Sequence, residues 1–395
     1  MSGELAESTS AVGTEATSTE LSSLVGAHTV SPADWDRLAR RGYHLHHWCE
    51  SAEASGWRPR HLAVRQEGVL RTIVPAYLTG ADTLHDLHAR WLGPLAGLAS
   101  TAGINLRPVL SAQTPFASSS SLLGDLAAID DALLHRIFER LEQAAEEEKA
   151  KAVAWPFVDE QSERLLGVAR ERGYVAAYAG ATAVLPVAWD SFEEYLGSRS
   201  KQVRRSIRAD LTALKTHGLR TTLQQDFRAE AAAMDALYRD SFRRRNGAEP
   251  SVSTELFNRL SQSQSAGIRA HLTWKGDRLV GTSLNIGTST VLEGTFGAFE
   301  AEYHGGPAYY NDLCYEPIRV ACAEGIGALD LGPTALYPKV LRGAVLQRRM
   351  ILIRGTSAPV HQLLRVAGAL IARRTEQKER RALGPLWARS FSSSI

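Results

Sequence analysis

The chain has 395 residues, enough for two domains. Its apolar fraction of 44% and charged fraction of 22% are those of an ordinary soluble globular protein, and no run of roughly 18 apolar residues offers a membrane span. Three cysteines (Cys49, Cys314, Cys322) argue against a disulfide framework, and no metal-ligand spacing of His and Cys occurs; the dense group His44, His46, His47 reads as a solvated loop or helix surface.

Residues 1–36 carry no Lys or Arg, so they lack the marks of a secretory or transit peptide. Residues 1–24 are expected to be a disordered tail, and the protein cytoplasmic. Ser31-Pro32 starts a helix. Arg60–Tyr77 reads strand, turn, strand about Glu67-Gly68. Residues 101–124 are loop-rich. Asp130–Lys151 is a helix, Ala152–Phe157 a strand, Leu165–Gly173 a helix ended by glycine and Ala181–Val187 a strand. Asp190 and Glu193 are placed to cap a short helix across the middle of the chain.

The second half repeats the plan. Ser200 caps a helix running to Gly218, followed by helices at Phe227–Arg245 and Thr254–Ser263. Strands follow at Gly267–Trp274, Leu279–Ile286 and Thr290–Phe296. A helix ends at Gly325. Ala328-Leu329-Asp330-Leu331 is a strand with an acid out of place, and Lys339 and Arg342 stand on a turn between Pro338 and Gly343. The hairpin at residues 271–287 matches that at 61–78 in kind. The expected fold is therefore α/β with a mixed sheet, in two similar units: residues 25–190 and 191–355, followed by a basic segment at 356–395.

Several motifs carry a resemblance over about residues 40–355. They are Ser55–Leu62, Pro75–Leu78, Thr114–Phe116, Phe192–Leu196 and Ser200–Arg208. The C-terminal pieces are Cys314-Tyr315, Glu324-Gly325, Asp330 with Gly332, Lys339, and Arg342-Gly343. In this order they resemble the Fem-like peptidoglycan biosynthesis/recognition branch of the GNAT acyltransferase superfamily. The resemblance implies a tandem GNAT-like fold and amide or ester formation from aminoacyl-tRNA, with no bound cofactor. Fem enzymes use a lysine near the end of the second domain, and Lys339 is the matching position. A lysine beside the reacting carbonyl stabilises the oxyanion. The chain lacks the heptad run of a coiled-coil arm, so a small amine or hydroxyl acceptor in specialised metabolism stands beside a cell-wall precursor.

Asp330 has three readings: a proton acceptor, a support for Lys339, or the cap of a turn with Gly332. Arg342 suits a carboxylate or phosphate. Tyr309, Tyr310 and Tyr315 either face the acceptor or belong to the core. Lys201, Arg204, Arg205 and Arg208 share one side of a helix with Lys215 and suit phosphates of tRNA, a nucleotide-linked acceptor or coenzyme A; Arg239, Arg243, Arg244 and Arg245 form a second cluster. Between Phe296 and Asn311 there is no pyrophosphate turn, and two acids stand there instead. This favours aminoacyl-tRNA over acyl-CoA, which is kept as the alternative donor. The basic segment 356–395 suits RNA, an anionic membrane surface, or docking with a solvated tail.

Overall fold

The computed structural model describes residues 18–80, 105–120, 122–124, 129–247, 249–250, 252, 254–262 and 267–391. Residues 1–17 of the expected tail, and 101–104 and 121 of the loop-rich stretch, lie outside the described residues.

The first half opens with β1 (Thr19–Leu24), α1 (Pro32–Asp36) and α2 (His46–Ala54). Strands β2 (Arg58–Pro59), β3 (His61–Gln66), β4 (Val69–Val74), β5 (Tyr77–Thr79), β6 (Val109–Ser111) and β7 (Leu123–Gly124) follow. Then come α3 (Asp131–Glu147), β8 (Ala152–Asp159), α4 (Glu163–Glu171) and β9 (Val175–Pro186). Thr19–Leu24, expected in the tail, is a strand because it pairs antiparallel with β3 along its whole length. Ser31 caps α1 through Asp34 N at 3.1 Å, and Asp130 caps α3 through Leu133 N at 2.7 Å.

The second half contains α5 (Phe192–Ser198), α6 (Lys201–Thr216), β10 (Leu219–Gln224), α7 (Ala231–Asn246), α8 (Thr254–Gln262), β11 (Ile268–Lys275), β12 (Arg278–Gly287) and β13 (Val291–Phe299). The cap of α5 is Ser191, not Asp190: its side chain accepts from Glu194 N at 3.2 Å, and Glu194 accepts from Asp190 N at 3.0 Å, so the capping box is shifted by one residue. After α9 (Pro307–Tyr310) the chain makes one π-helical stretch, Asn311–Tyr315, before α10 (Glu316–Glu324), which Gly325 ends at φ 66°. Next are β14 (Ala328–Asp330), α11 (Leu336–Leu341), β15 (Val345–Gly355) and the long α12 (Ala358–Leu383). Lys339 thus sits on a short helix rather than a turn.

Strands β1, β3, β4 and β7 form a small sheet. The large sheet runs β10-β11-β12-β13-β14-β9-β15-β8-β6-β5-β2. Its centre is interleaved. β9, from the first half, lies between β14 and β15; β15, from the second half, lies between β9 and β8. Each half thus completes its sheet with the other's last strand. β15 escapes sequence reading because Arg348 and Arg349 interrupt its apolar pattern. Arg349 is nonetheless buried, donating to Asp159 at 2.6 Å and to Thr182 at 3.0 Å.

A cut at the interdomain link tests this interleaving. Residues 18–190 made alone would leave β8 without one neighbour and β9 without either, exposing three edges. We expect that fragment to be insoluble or to lack dispersed amide resonances, and co-expression with residues 191–395 to restore a soluble complex. Dispersed spectra from the isolated fragment would contradict it.

Candidate active site at the parted strands

β13 and β14 run parallel only over Val291–Glu293 and Ala328–Asp330, ending with Glu293 opposite Asp330. Beyond that pair they part. Gly294–Gly297 form one wall of a cavity of about 190 Å³, and Leu331–Thr334 the other. Phe116, Tyr238, Phe242 and Tyr309 complete an aromatic lining, with Lys339 and Arg245 as its cations. The wall is shaped by a bulge: the register between β12 and β13 shifts at Thr282–Leu284, and Phe296 adopts φ 49°. This turns the Phe296 ring onto Trp48, with centroids 5.9 Å apart.

The first half has the same opening, but it is filled. β6 and β8 are parallel over Val109–Ser111 and Ala152–Ala154, and Ser120 then bridges Val158 in parallel. The intervening residues 113–120 are buried there, anchored by Trp48 Nε1 donating to Pro115 O at 2.9 Å. This plug extends toward the second half: Phe116 lines the cavity, and Ser118 Oγ donates to Asp330 at 3.4 Å.

Lys339 is 6% exposed. Its Nζ donates to Leu331 O and to Gly332 O, the latter at 3.3 Å. Burial lowers its pKa to about 8. The ammonium form still dominates at neutral pH, and it can pass its proton more readily than a surface lysine. Asp330 does not bond Lys339. It accepts from Arg41 Nη2 at 2.5 Å and from Gly332 N at 2.9 Å. Burial pushes the Asp330 carboxyl up, but Arg41 and Arg349 outweigh it and hold the group below the usual carboxylate range. Asp330 is therefore a poor proton acceptor. Of its three readings, the turn cap with Gly332 is present; it supports Lys339 only by fixing the turn whose carbonyls that lysine bonds.

The facing acid, Glu293, accepts from Arg41 Nε at 2.9 Å and from Tyr43 N at 3.2 Å. Burial raises its pKa to about 7. One guanidinium from the first half thus spans both acids at the point where the strands separate.

The other residues named from sequence separate into three groups. Tyr309 lines the cavity, and burial raises its pKa to about 12. Tyr310, Tyr315 and Arg342 do not line it. Arg342 lies over the Tyr310 ring at 4.0 Å, donates to Tyr315 Oη at 2.7 Å and reaches Asp210 at 3.2 Å. It ties α11 to α6 and has little capacity left for a ligand anion. On α6, Lys201, Arg205 and Arg208 are exposed and have no acid partner among the described residues, whereas Arg204 donates to Arg199 O. None of these four lines the cavity, but α6 packs against α9, which carries Tyr309. Of the second basic cluster, Arg239, Arg243 and Arg244 are paired with acids. Arg245 lines the cavity without an acid partner among the described residues. Cys314 is buried, which raises its pKa and removes it as a nucleophile.

Sequence reasoning missed Arg41, Glu293, Phe296, Tyr238 and Phe242. Glu293 had the same signal as Asp330, an acid in an apolar strand. The rings had none, since aromatic residues in helices and strands are ordinary core.

Parallel strands part in both halves, around the cavity in the second and around the buried plug in the first, so the chain is built of two similar units in tandem. Residues 26–355 match the FemAB-like family, described as peptidoglycan biosynthesis/recognition, and the chain belongs to that family. No curated protein matches the sequence. The crystal structure of FemX matches with a TM-score of 0.58 at 13% identity, covering 85% of this chain and 98% of that one. A conserved protein of unknown function from Bacteroides thetaiotaomicron VPI-5482 gives 0.53 at 12% identity, covering 82% and 98%. A tandem GNAT protein from the clavulanic acid biosynthesis pathway gives 0.49 at 10%, covering 86% and 99%. The fold is tandem GNAT-like and is shared with FemX over most of both chains, and the FemAB-like family supports an acyl- or aminoacyl-transferring protein. Among the described residues no helix is long and apolar enough to cross a membrane.

Proposed function

We propose that this chain transfers an aminoacyl group from aminoacyl-tRNA to an amine or hydroxyl of a small molecule or cell-wall precursor, with the reacting carbonyl in the cavity at Lys339. The observation that carries the reading is the buried Nζ of Lys339 between the parted strands. The acceptor attacks the ester carbonyl, and the new C–N or C–O bond leaves an oxyanion. Lys339 supplies the positive charge and the proton donor for it from a buried position on the cavity wall. Collapse breaks the ester bond, and the ribose oxygen leaves as a hydroxyl, its proton replacing the one that the acceptor's amine or hydroxyl gave up on attack. Asp330 is already committed to Arg41 and takes no part in the transfer. The aromatic lining suits an uncharged side chain on the amino acid. Lys201, Arg205 and Arg208 suit the phosphates of the tRNA, because exposed cations lacking acid partners keep their charge for a polyanion.

The test incubates the pure protein with bulk tRNA charged with radiolabelled amino acids and with a metabolite extract. Label should move to an RNase-resistant product. The triple variant Lys201→Glu, Arg205→Glu, Arg208→Glu should raise KM for charged tRNA at least tenfold with little change in kcat, and the effect should shrink at high salt. Turnover from acyl-CoA, with none from charged tRNA, would overturn the proposal.

A further inference from the structure

Helix α12 has two unlike sides. Val360, Leu364, Ala367 and Ile371 are buried against β9 and β15. Both of its acids are also spent inward or sideways: Glu376 accepts from Arg348 at 3.0 Å, and Glu379 accepts from Tyr178 Oη at 2.5 Å and Ala181 N at 3.3 Å. The outer side carries no acid. At 100° per residue, Val366, Leu370, Arg373, Arg374, Arg380 and Arg381 fall within one face. Val366 is 62% exposed and Leu370 53%, one turn apart. The four arginines are exposed and have no acid partner among the described residues; Arg365 and Lys378, also exposed, flank the face.

We infer that this face docks the protein on an anionic lipid surface, with Val366 and Leu370 among the acyl chains and the arginines among the headgroup phosphates. Charge complementarity carries the cationic half of the argument. The apolar half decides between polyanions. A nucleic acid offers phosphates but no partner for two aliphatic side chains projecting from the same face, whereas a bilayer interface receives both together. The acids bind within the fold, so the outer face keeps its full positive charge. The helix also packs against α11, which bears Lys339. Docking therefore holds the catalytic helix close to the lipid surface, where a lipid-linked acceptor would be met. The docking itself does not rest on the transfer reaction.

The test is co-sedimentation of the full chain with vesicles of phosphatidylcholine alone, or of phosphatidylcholine and phosphatidylglycerol in equal parts. The native chain should sediment with the anionic vesicles only, and less so at high salt. Each arginine among Arg373, Arg374, Arg380 and Arg381 replaced by Gln should weaken the partition roughly fivefold, as expected for about one kcal/mol per surface cation. The pair Val366→Ser and Leu370→Ser should weaken it further at unchanged net charge. These positions are exposed, and thermal melts confirm that each variant folds. Equal binding to both vesicle types, or no binding of the native chain to anionic vesicles, would overturn the inference. Loss of bulk tRNA binding in the arginine variants, with vesicles never bound, would assign the face to RNA instead.

Discussion

Lys339→Met is expected to reduce turnover by ~10²–10³-fold while melting no lower than the native chain. The two halves of that result have one cause. Among the described residues the buried ammonium has two backbone carbonyls as hydrogen-bond partners, and burial brings its pKa from 10.5 to about 8. The folded state thus disfavours the charge by on the order of 3 kcal/mol below that pH, at 1.36 kcal/mol per pKa unit. A methionine of similar shape removes the cost, though it leaves the two carbonyls without their donor. The sign of the linkage follows. Between pH 8 and 10.5 the unfolded chain holds the proton that the folded chain has lost, so stability rises with pH across that window. In Lys339→Met this rise should vanish. Turnover of the native enzyme should in turn fall above pH 8, as the ammonium is lost. Denaturant melts and transfer rates over a pH series measure both, and a variant retaining turnover within a few-fold would remove Lys339 from the chemistry.

Arg41→Ala should cost roughly 3–5 kcal/mol, the usual penalty for breaking a buried ion pair on one side. Its removal leaves Glu293 and Asp330 facing each other across the last paired rung of β13 and β14, each 1% exposed. Two neighbouring buried carboxylates cannot both stay charged, so one must take up a proton or the strands must move. Arg41→Ala with Glu293→Gln should recover most of the loss, because a neutral amide opposite Asp330 ends the repulsion. The native chain carries a milder form of the same tension. Burial holds the Glu293 pKa at about 7, above the ordinary 4.5. Between these values the folded state holds more protons than the unfolded one, so native stability should fall as pH rises through this range. Glu293→Gln should flatten that slope. Urea denaturation at several pH values distinguishes these outcomes, and a double variant no more stable than Arg41→Ala would show that charge opposition is not the cause.

The legible parts of this fold were those with local signals. Caps and glycine stops marked α1, α3, α6 and α10, and the Glu67-Gly68 turn marked a hairpin. The strands of the interleaved centre were harder. β15 carries two arginines whose partners, Glu160 for Arg348 and Asp159 for Arg349, lie far away in sequence. β9 begins at Val175, earlier than its apolar run suggested, because β15 supplies a partner from Val175 to Val184. At the site, Lys339 was legible through the family motif, whereas Arg342 illustrates the limit of residue-type reasoning. An arginine suited to an anion was found fully engaged by Tyr315 and Asp210. Arg41 had no signal at all, since its two partners come from strands about 250 and 290 residues later.

The exchange of β9 and β15 sets a timetable for synthesis. The ribosome completes Pro186 long before it reaches Val345, and at 5–20 residues per second the gap is roughly ten to thirty seconds. For that time the first half cannot close, and β8 and β9 wait with bare edges toward each other. The nascent chain needs protection from its neighbours on a polysome through this interval, and its yield should depend on holding chaperones and on translation speed in the second half. Synonymous codons that slow the passage from residue 187 to 345 would lengthen that exposure without altering a single contact in the finished protein.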